Sequence, residues 1–571
     1  MPHEHQNIIF IIADQLKATA LRMYSDIGIE TPALERLASE GVRYENAVTP
    51  HPLCVPARTS MMTSRYPHST GCRRNETLMP PGELHAFRIW KDLGYRTGFF
   101  GKNHCFIQRS DLELLDVRCE ITHGGLPEND YLGSVTGTKG MDWVVPEAVI
   151  DESHATRRNM PPGNRTVPYA ITDHPLEGYS SAAIAAQVES FLERYVAGDD
   201  FGAGDGSLHG ESRPFAIEVS FPDPHAPIEV PRKYADMFPP ESIKLPPTRD
   251  GEFDGPEVPE RSRVCKQMLS TDDADEQTVR EAIAVYMAMT RFVDDSIGQI
   301  LDKLDALGLR DNTIVVFTAD HGDFVGEHRM YGKAGVFYDS LVHVPMFVSW
   351  PGGNVPTDVI DDSPVNTIDL LPTILQLSGV ADFTATPSIE VGQELAPAGP
   401  RMLCDRESDV VNSESLRRLQ GHALPTATSA SPRFASFSEY GTGGALFTLD
   451  MLNDLPISTG TPAVMRSLWA REAEGRRRMV RTKEWKYVTD PMESAKSLPR
   501  NSPARPEDEL YDLVGDPWEL HNVAHEPDSL SVISEMRAHL ADWMIETEEY
   551  KPVPLPTVIG RGKKPEVDTS R

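Results

Sequence analysis

Basic residues are scarce in this chain. Its 571 residues hold 55 Lys and Arg against 86 Asp and Glu, a formal net charge of −31. So acidic a protein is a poor partner for nucleic acid or an anionic membrane surface, because long-range repulsion opposes the encounter. A small anion is another matter, since salt screens a distant surface and a local cluster of cations can still hold it. Long apolar runs are missing too. Near the N-terminus only five consecutive apolar residues occur, Ile8–Ile12, with no basic segment ahead of them. That is too short for the apolar core of a secretory signal, and no run approaches the ~18 residues of a membrane span. The six cysteines, at 54, 72, 105, 119, 265 and 404, form no C-x-x-C pair. They predict neither a disulfide framework nor a zinc site, and a reducing cytoplasm as the compartment.

What is present is ordinary globular material. Hydrophobic residues make up 39% and charged residues 25%, the proportions of a soluble domain protein. The length exceeds what one hydrophobic core spans. We expect an α/β catalytic domain over 1–400 and a smaller α+β domain over 401–571, with an extended tail from about 551 that carries four prolines. No internal repeat is visible, and the sequence is compatible with a homo-oligomer.

Asn7–Ile12 reads as a strand covered on both faces. Thr31, Pro32 and Gly41 suit the N-cap, first position and stop of a helix. Arg58–Thr63 opens a second helix and Glu83–Leu93 is a third. Tyr95–Phe100 and Phe215–Phe221 are strands. Residues 105–180 read as polar and irregular, and 196–213 as a Gly/Asp/Ser-rich loop. Over Thr278–Leu307 the apolar residues keep a 3.6 period, a long amphipathic helix. The strand Thr313–Thr318 and a helix at Ile368–Ser378 follow. Alternating strands and helices predict a doubly wound, mostly parallel sheet. Beyond about 400, short strands at Phe434–Phe437, Arg478–Arg481 and Trp485–Val488 and a helix near Ser529–Glu546 predict an antiparallel sheet with a terminal helix.

In an open parallel sheet, ligands sit beyond the carboxyl ends of the strands. Here those ends carry Asp14-Gln15, Lys102 and His104, His225, and Asp320-His321. Each alone reads equally as a cap or turn residue; together they form a pattern. Asp14, Gln15, Asp320 and His321 supply oxygen ligands and one imidazole, a set for one divalent cation, calcium, manganese or magnesium. Arg58, Lys102, His104, His225 and Lys333 supply cations and donors for a tetrahedral anion.

The stretch PLCVPARTSMMTSRY, Pro52–Tyr66, sets Cys54, Pro56 and Arg58 at C-x-P-x-R spacing. Taken alone, it fits a helix-opening turn with a core thiol. In this company, Cys54-Val55-Pro56-Ala57-Arg58 resembles the signature of the type I sulfatases of the alkaline phosphatase superfamily. Thr31–Ala47, Gly101-Lys102-Asn103-His104, Pro224-His225-Ala226-Pro227, TADHGDFVG at Thr318–Gly326 with Gly332-Lys333, and ELYDLVGD at Glu509–Asp516 with Pro517 and Asn522 resemble further family segments, over almost the whole chain.

The resemblance implies that a formylglycine-generating enzyme oxidises Cys54 to formylglycine. It implies that Asp14, Gln15, Asp320, His321 and the modified Cys54 hold one metal, calcium first. It implies attack on sulfur by the aldehyde hydrate and then expulsion of sulfate. Lys102 and Lys333 would stabilise the sulfuryl oxygens, Arg58 support the modified residue, His104 assist elimination, and His225 with Lys333 protonate the leaving oxygen. The chain departs from the usual pattern at Gln15, where many members have aspartate, at His321, where many have asparagine, and at Met62-Thr63-Ser64 in place of Leu-Thr-Gly.

The implied substrate is a small sulfate monoester: a sulfated sugar, choline sulfate, or an alkyl or aryl sulfate. Pro52-Leu53-Cys54 and Asp14-Gln15 are similar to the choline sulfatases. The nearest rival is a phosphonate monoester or phosphodiester hydrolase of the same superfamily, in which Tyr and Thr tend to replace the Lys and His of G-K-x-H. A non-catalytic binding protein with unmodified Cys54 and a two-zinc phosphatase are further alternatives.

Overall fold

The computed structural model describes residues 6–106, 108–121, 138–159, 169–202, 213–226, 228–382, 401–402, 410–424, 433–441, 448–450, 475–490 and 503–548. Nine strands form the main sheet: β1 (Asn7–Asp14), β2 (Gly41–Val48), β3 (Arg96–Gly101), β4 (Val117–Glu120), β5 (Thr138–Lys139), β6 (Phe215–Pro224), β7 (Thr313–Ala319), β8 (Met346–Ser349) and β9 (Val359–Asn366). They lie in the order β9-β2-β8-β7-β1-β6-β3-β4-β5. Only β8 and β5 run against their neighbours. All eight residues of β1 are buried, because helices cover both faces of the sheet.

Those helices include α1 (Pro32–Ser39), α2 (Cys54–Thr63), α3 (Ala86–Asp92), α4 (Ser180–Val196), α5 (Glu276–Ala306) and α6 (Leu370–Leu377). A second, antiparallel sheet follows, β10 (Ser436–Tyr440), β11 (Arg477–Arg481), β12 (Trp485–Thr489) and β13 (Glu509–Asp512), with the terminal helix α7 (Leu530–Glu546). No described helix is long and apolar enough to cross a membrane.

Several expectations need correction. Residues 105–180 are not uniformly irregular, since they supply β4, β5, a helix at Glu147–Arg158 and a strand at Tyr169–Thr172. The third helix starts at Ala86 rather than Glu83. Phe434 is 78% exposed, and β10 begins only at Ser436. Gly41 does not stop α1. It opens β2, where a Cβ would lie 2.2 Å from the Val348 carbonyl oxygen of β8. Much of the 196–213 loop, Pro227, Cys404 and the 551–571 tail lie outside the described residues.

Thr31 precedes α1 but its hydroxyl caps nothing. The cap comes from Asp294 of α5, whose carboxylate accepts the N–H groups of Ala33 (3.2 Å) and Leu34 (2.8 Å). Asp294→Ala would strand two helix-end donors in a buried seam. We expect a loss of about 1–2 kcal/mol, read as a lower urea midpoint with unchanged slope.

Candidate active site

The sheet order makes β7, β1, β6 and β3 four adjacent parallel strands. Asp320, Asp14, His225 and Lys102 follow or close their carboxyl ends, so four chain segments meet at one edge. At Gly101 the chain takes a φ of +106°, and a Cβ there would stand 2.0 Å from the Ser220 carbonyl oxygen. That close approach, open only to glycine, seats Lys102 directly over β6.

Cys54 is the first residue of α2, whose ten residues are all buried. Pro56 falls in the first turn, where its missing N–H has no intrahelical partner to lose. The Val55 N–H is taken by Asn75 Oδ1 at 3.0 Å. Arg58, one turn after Cys54, points the same way. Its Nε bonds Asp320 Oδ2 (2.8 Å), one terminal nitrogen bonds Asp14 Oδ2 (3.1 Å), and the other bonds Ser220 Oγ (2.7 Å). One planar fork therefore ties the ends of β1, β6 and β7.

Around the Cys54 Sγ stand His321 Nε2 at 3.1 Å, Lys333 Nζ at 3.0 Å and Asp14 Oδ1 at 3.9 Å. Lys333 Nζ also reaches Gln15 Oε1 (2.9 Å) and His321 Nε2 (3.2 Å). Lys102 Nζ donates to Asp14 Oδ2. Asp320 Oδ1 accepts the N–H groups of Gln15 and His321, each at 3.0 Å, and Thr49 Oγ1 donates to the Asp320 carbonyl at 2.6 Å. His225 is half-buried, bonds the Ala226 carbonyl oxygen through its ring, and acts on Asp14 through its charge. His104 is half-buried two residues beyond Lys102 in the same loop.

Burial favours the neutral form of each acid, and the cations oppose it. Asp14 is held well below the usual carboxylate range, because Lys102, His225, Arg58 and Lys333 outweigh the push of burial. Burial and Asp14 push the Cys54 thiol up, and Lys102, Lys333 and His321 bring it down to about 7. Glu218, 1% exposed in β6, is pushed up to about 8 by burial against the pull of Arg58. It is therefore mostly neutral at pH 7 and leaves the Arg58 charge to Asp14 and Asp320.

The donor set fits one divalent cation. One ligand atom from each of Asp14, Cys54, Asp320 and His321 lies within 4.8 Å of the others, all four residues buried. His321 Nδ1 lies 2.8 Å from the Gly322 carbonyl oxygen. That contact places its N–H there and leaves the Nε2 lone pair facing the cluster. Two hard carboxylates, one imidazole and the nearby Gln15 amide suit calcium, manganese or magnesium better than a thiolate-rich zinc site.

Ser220, Thr49 and Asn75 escaped the sequence reading. Ser220 had a signal of its own, a hydroxyl near the end of an otherwise buried strand. Thr49 and Asn75 had none.

The sulfatase family matches residues 6–380. An ulvan-active sulfatase of Formosa agariphila is 31% identical over 415 residues, 71% of this chain and 68% of that protein. A choline-sulfatase of Rhizobium meliloti is 27% identical over 394 residues, 66% of this chain and 68% of that one. The solved phosphonate monoester hydrolase of Agrobacterium radiobacter shares the fold, with a TM-score of 0.63 at 21% identity over 95% of this chain and 96% of that one. The site at the strand ends thus stands in a chain that belongs to the sulfatase family, a sulfuric ester hydrolase.

Proposed function

We propose that the chain hydrolyses a small sulfate monoester, a sulfated sugar, choline sulfate, or an alkyl or aryl sulfate, at Cys54 after its conversion to formylglycine. The observation that carries this reading is the meeting at Cys54 of two lysines with the Asp14, Asp320 and His321 cluster. In the structure Cys54 Sγ stands where the first oxygen of the modified side chain would be. As a hydrated aldehyde the modified residue offers an oxygen nucleophile and a way to release the product without water attack on sulfur. The cation, calcium by preference, would be held by Asp14, Gln15, Asp320, His321 and the modified Cys54, and would supply Lewis-acid stabilisation of the oxygen charge.

The protein's own groups do the rest. Arg58 fixes both carboxylates and braces the start of α2. Lys102 and Lys333 donate to the sulfuryl oxygens. His225, with Lys333, delivers a proton to the leaving alcohol, and His104 takes up the proton whose loss frees sulfate. We place the pocket walls in residues 105–180 and in a C-terminal unit from about residue 401, and the working compartment in the cytoplasm, with a formylglycine-generating enzyme as maturation partner.

Fully converted enzyme, assayed against matched aryl sulfate, phenylphosphonate monoester and aryl phosphodiester, is expected to show its highest kcat/KM on the sulfate. A preference for either phosphorus ester would transfer the assignment to the phosphonate monoester or phosphodiester hydrolases. We further expect one divalent cation per chain by elemental analysis, and a joint fall in occupancy and rate in Asp320→Asn. Two zinc ions per chain would contradict the single-metal site.

A further inference from the structure

We propose that Tyr286, in the middle of α5, is a positioning residue for the divalent-cation site. The inference rests on the reading of Asp14, Gln15, Asp320 and His321 as that site. Gln15 follows β1 with φ of +66°, a left-handed conformation that residues with a Cβ adopt only where their surroundings enforce it. Three hydrogen bonds enforce it here. The Gln15 N–H donates to Asp320 Oδ1 at 3.0 Å. The Tyr286 hydroxyl donates to the Gln15 carbonyl oxygen at 2.9 Å and accepts the Lys17 N–H at 3.2 Å. A single phenol thus closes both sides of the turn that aims the Gln15 amide oxygen at Lys333.

The same ring is braced from behind. Lys17 Nζ lies 5.4 Å from the Tyr286 ring centre and 2.5 Å from Glu327 Oε1, in an ion pair whose side chains are at most 2% exposed. The other Glu327 oxygen accepts the Val325 N–H at 2.8 Å. The segment after Asp320 and His321 and the turn after Asp14 are therefore tied to one side chain on a long, separately anchored helix. A core position needing only bulk would be filled as well by phenylalanine. A phenol with no exposed surface carries a desolvation cost that its two bonds offset. Without the hydroxyl, a buried carbonyl and a buried N–H lose their partner. The turn can then relax, and with it the Gln15 amide and the Gln15 N–H that orients Asp320.

The test is titration calorimetry of the full-length chain with calcium chloride, and in parallel with manganese and magnesium chloride. It compares wild type, Tyr286→Phe, Asp320→Asn and Thr290→Val. Thr290 sits one turn further along α5, and among the described residues its hydroxyl bonds the Tyr286 carbonyl oxygen alone, so Thr290→Val disturbs the helix without touching Gln15. Tyr286→Phe is expected to bind its cation about 10- to 100-fold more weakly. The metal-free variant should melt close to wild type, and kcat on an aryl sulfate should return at saturating cation. Thr290→Val should bind as wild type. Unchanged affinity in Tyr286→Phe overturns the proposal. So does an equal loss in Thr290→Val, which would make the effect one of helix packing. A wild type that binds none of the three ions, or an Asp320→Asn that binds as tightly as wild type, removes the metal site itself and this inference with it.

Discussion

Cys54→Ala is expected to lose essentially all turnover of sulfate esters, on the order of 10⁴-fold or more as for other deleted nucleophiles, while keeping the wild-type fold. The Cys54 side chain fills no large core volume. Its sulfur contacts polar atoms of His321, Lys333 and Asp14, and these retain their own bonds to Gly322, Gln15 and Arg58 when it is removed. Circular dichroism and melting temperature should therefore match wild type. The other described cysteines, Cys72, Cys105, Cys119 and Cys265, are all buried, none of them joins the Asp14, Asp320 and His321 cluster, and burial pushes the thiols of the first three up. Cys54→Ser should be equally inactive in a host whose modifying enzyme accepts only cysteine. Substantial sulfatase activity in purified Cys54→Ala would defeat the proposed chemistry.

Lys102→Ala is the second large effect. The lysine is 3% exposed, donates to Asp14, and leans over the end of β6 through the glycine-only turn at Gly101. A sulfate monoester offers three non-bridging oxygens. A phosphodiester offers two and carries a second ester arm where the third would sit. A lysine aimed at that position donates to the sulfate and crowds the arm. Removing one charge-assisted donor from a desolvated site costs about 2–4 kcal/mol in the transition state, roughly 30- to 1,000-fold in rate. The kcat/KM on an aryl sulfate should fall by that much, and on the phosphodiester clearly less. Equal losses on both would mean that Lys102 serves the acid cluster rather than the third oxygen.

The parts of the fold that could be read from sequence are those whose burial leaves a periodic trace. β1 is a continuous apolar run because both its faces are covered, and α5 keeps a 3.6 period because one face packs on the sheet. β2 carries Arg43, Glu45 and Asn46 among its apolar residues, and β9 carries Asp361, Asp362 and Pro364 at the sheet edge, so neither shows a strand pattern. Gly41 and the N-terminus of α1 misled because the deciding atoms, the Val348 carbonyl and the Asp294 carboxylate, lie some 260 to 307 residues away in the chain. The convergence of Asp14, Lys102 and Asp320 was legible too, since the ends of adjacent parallel strands meet at one edge of the sheet. Its supports were not. Thr49 and Tyr286 act through single buried hydroxyls, where local sequence gives no reason to prefer a threonine or tyrosine to an apolar residue, and Ser220 shows only as a hydroxyl within a strand.

In the proposed chemistry the nucleophile is made from Cys54. Conversion lowers the mass of the Cys54 peptide by about 18 Da, as a thiol-bearing carbon becomes an aldehyde. Preparations with graded conversion can be obtained by varying the supply of the modifying enzyme during expression. The deciding measurement is kcat on an aryl sulfate against the converted fraction from peptide mass spectrometry. A straight line through the origin is expected. Full activity in a preparation whose Cys54 is entirely unmodified would contradict it.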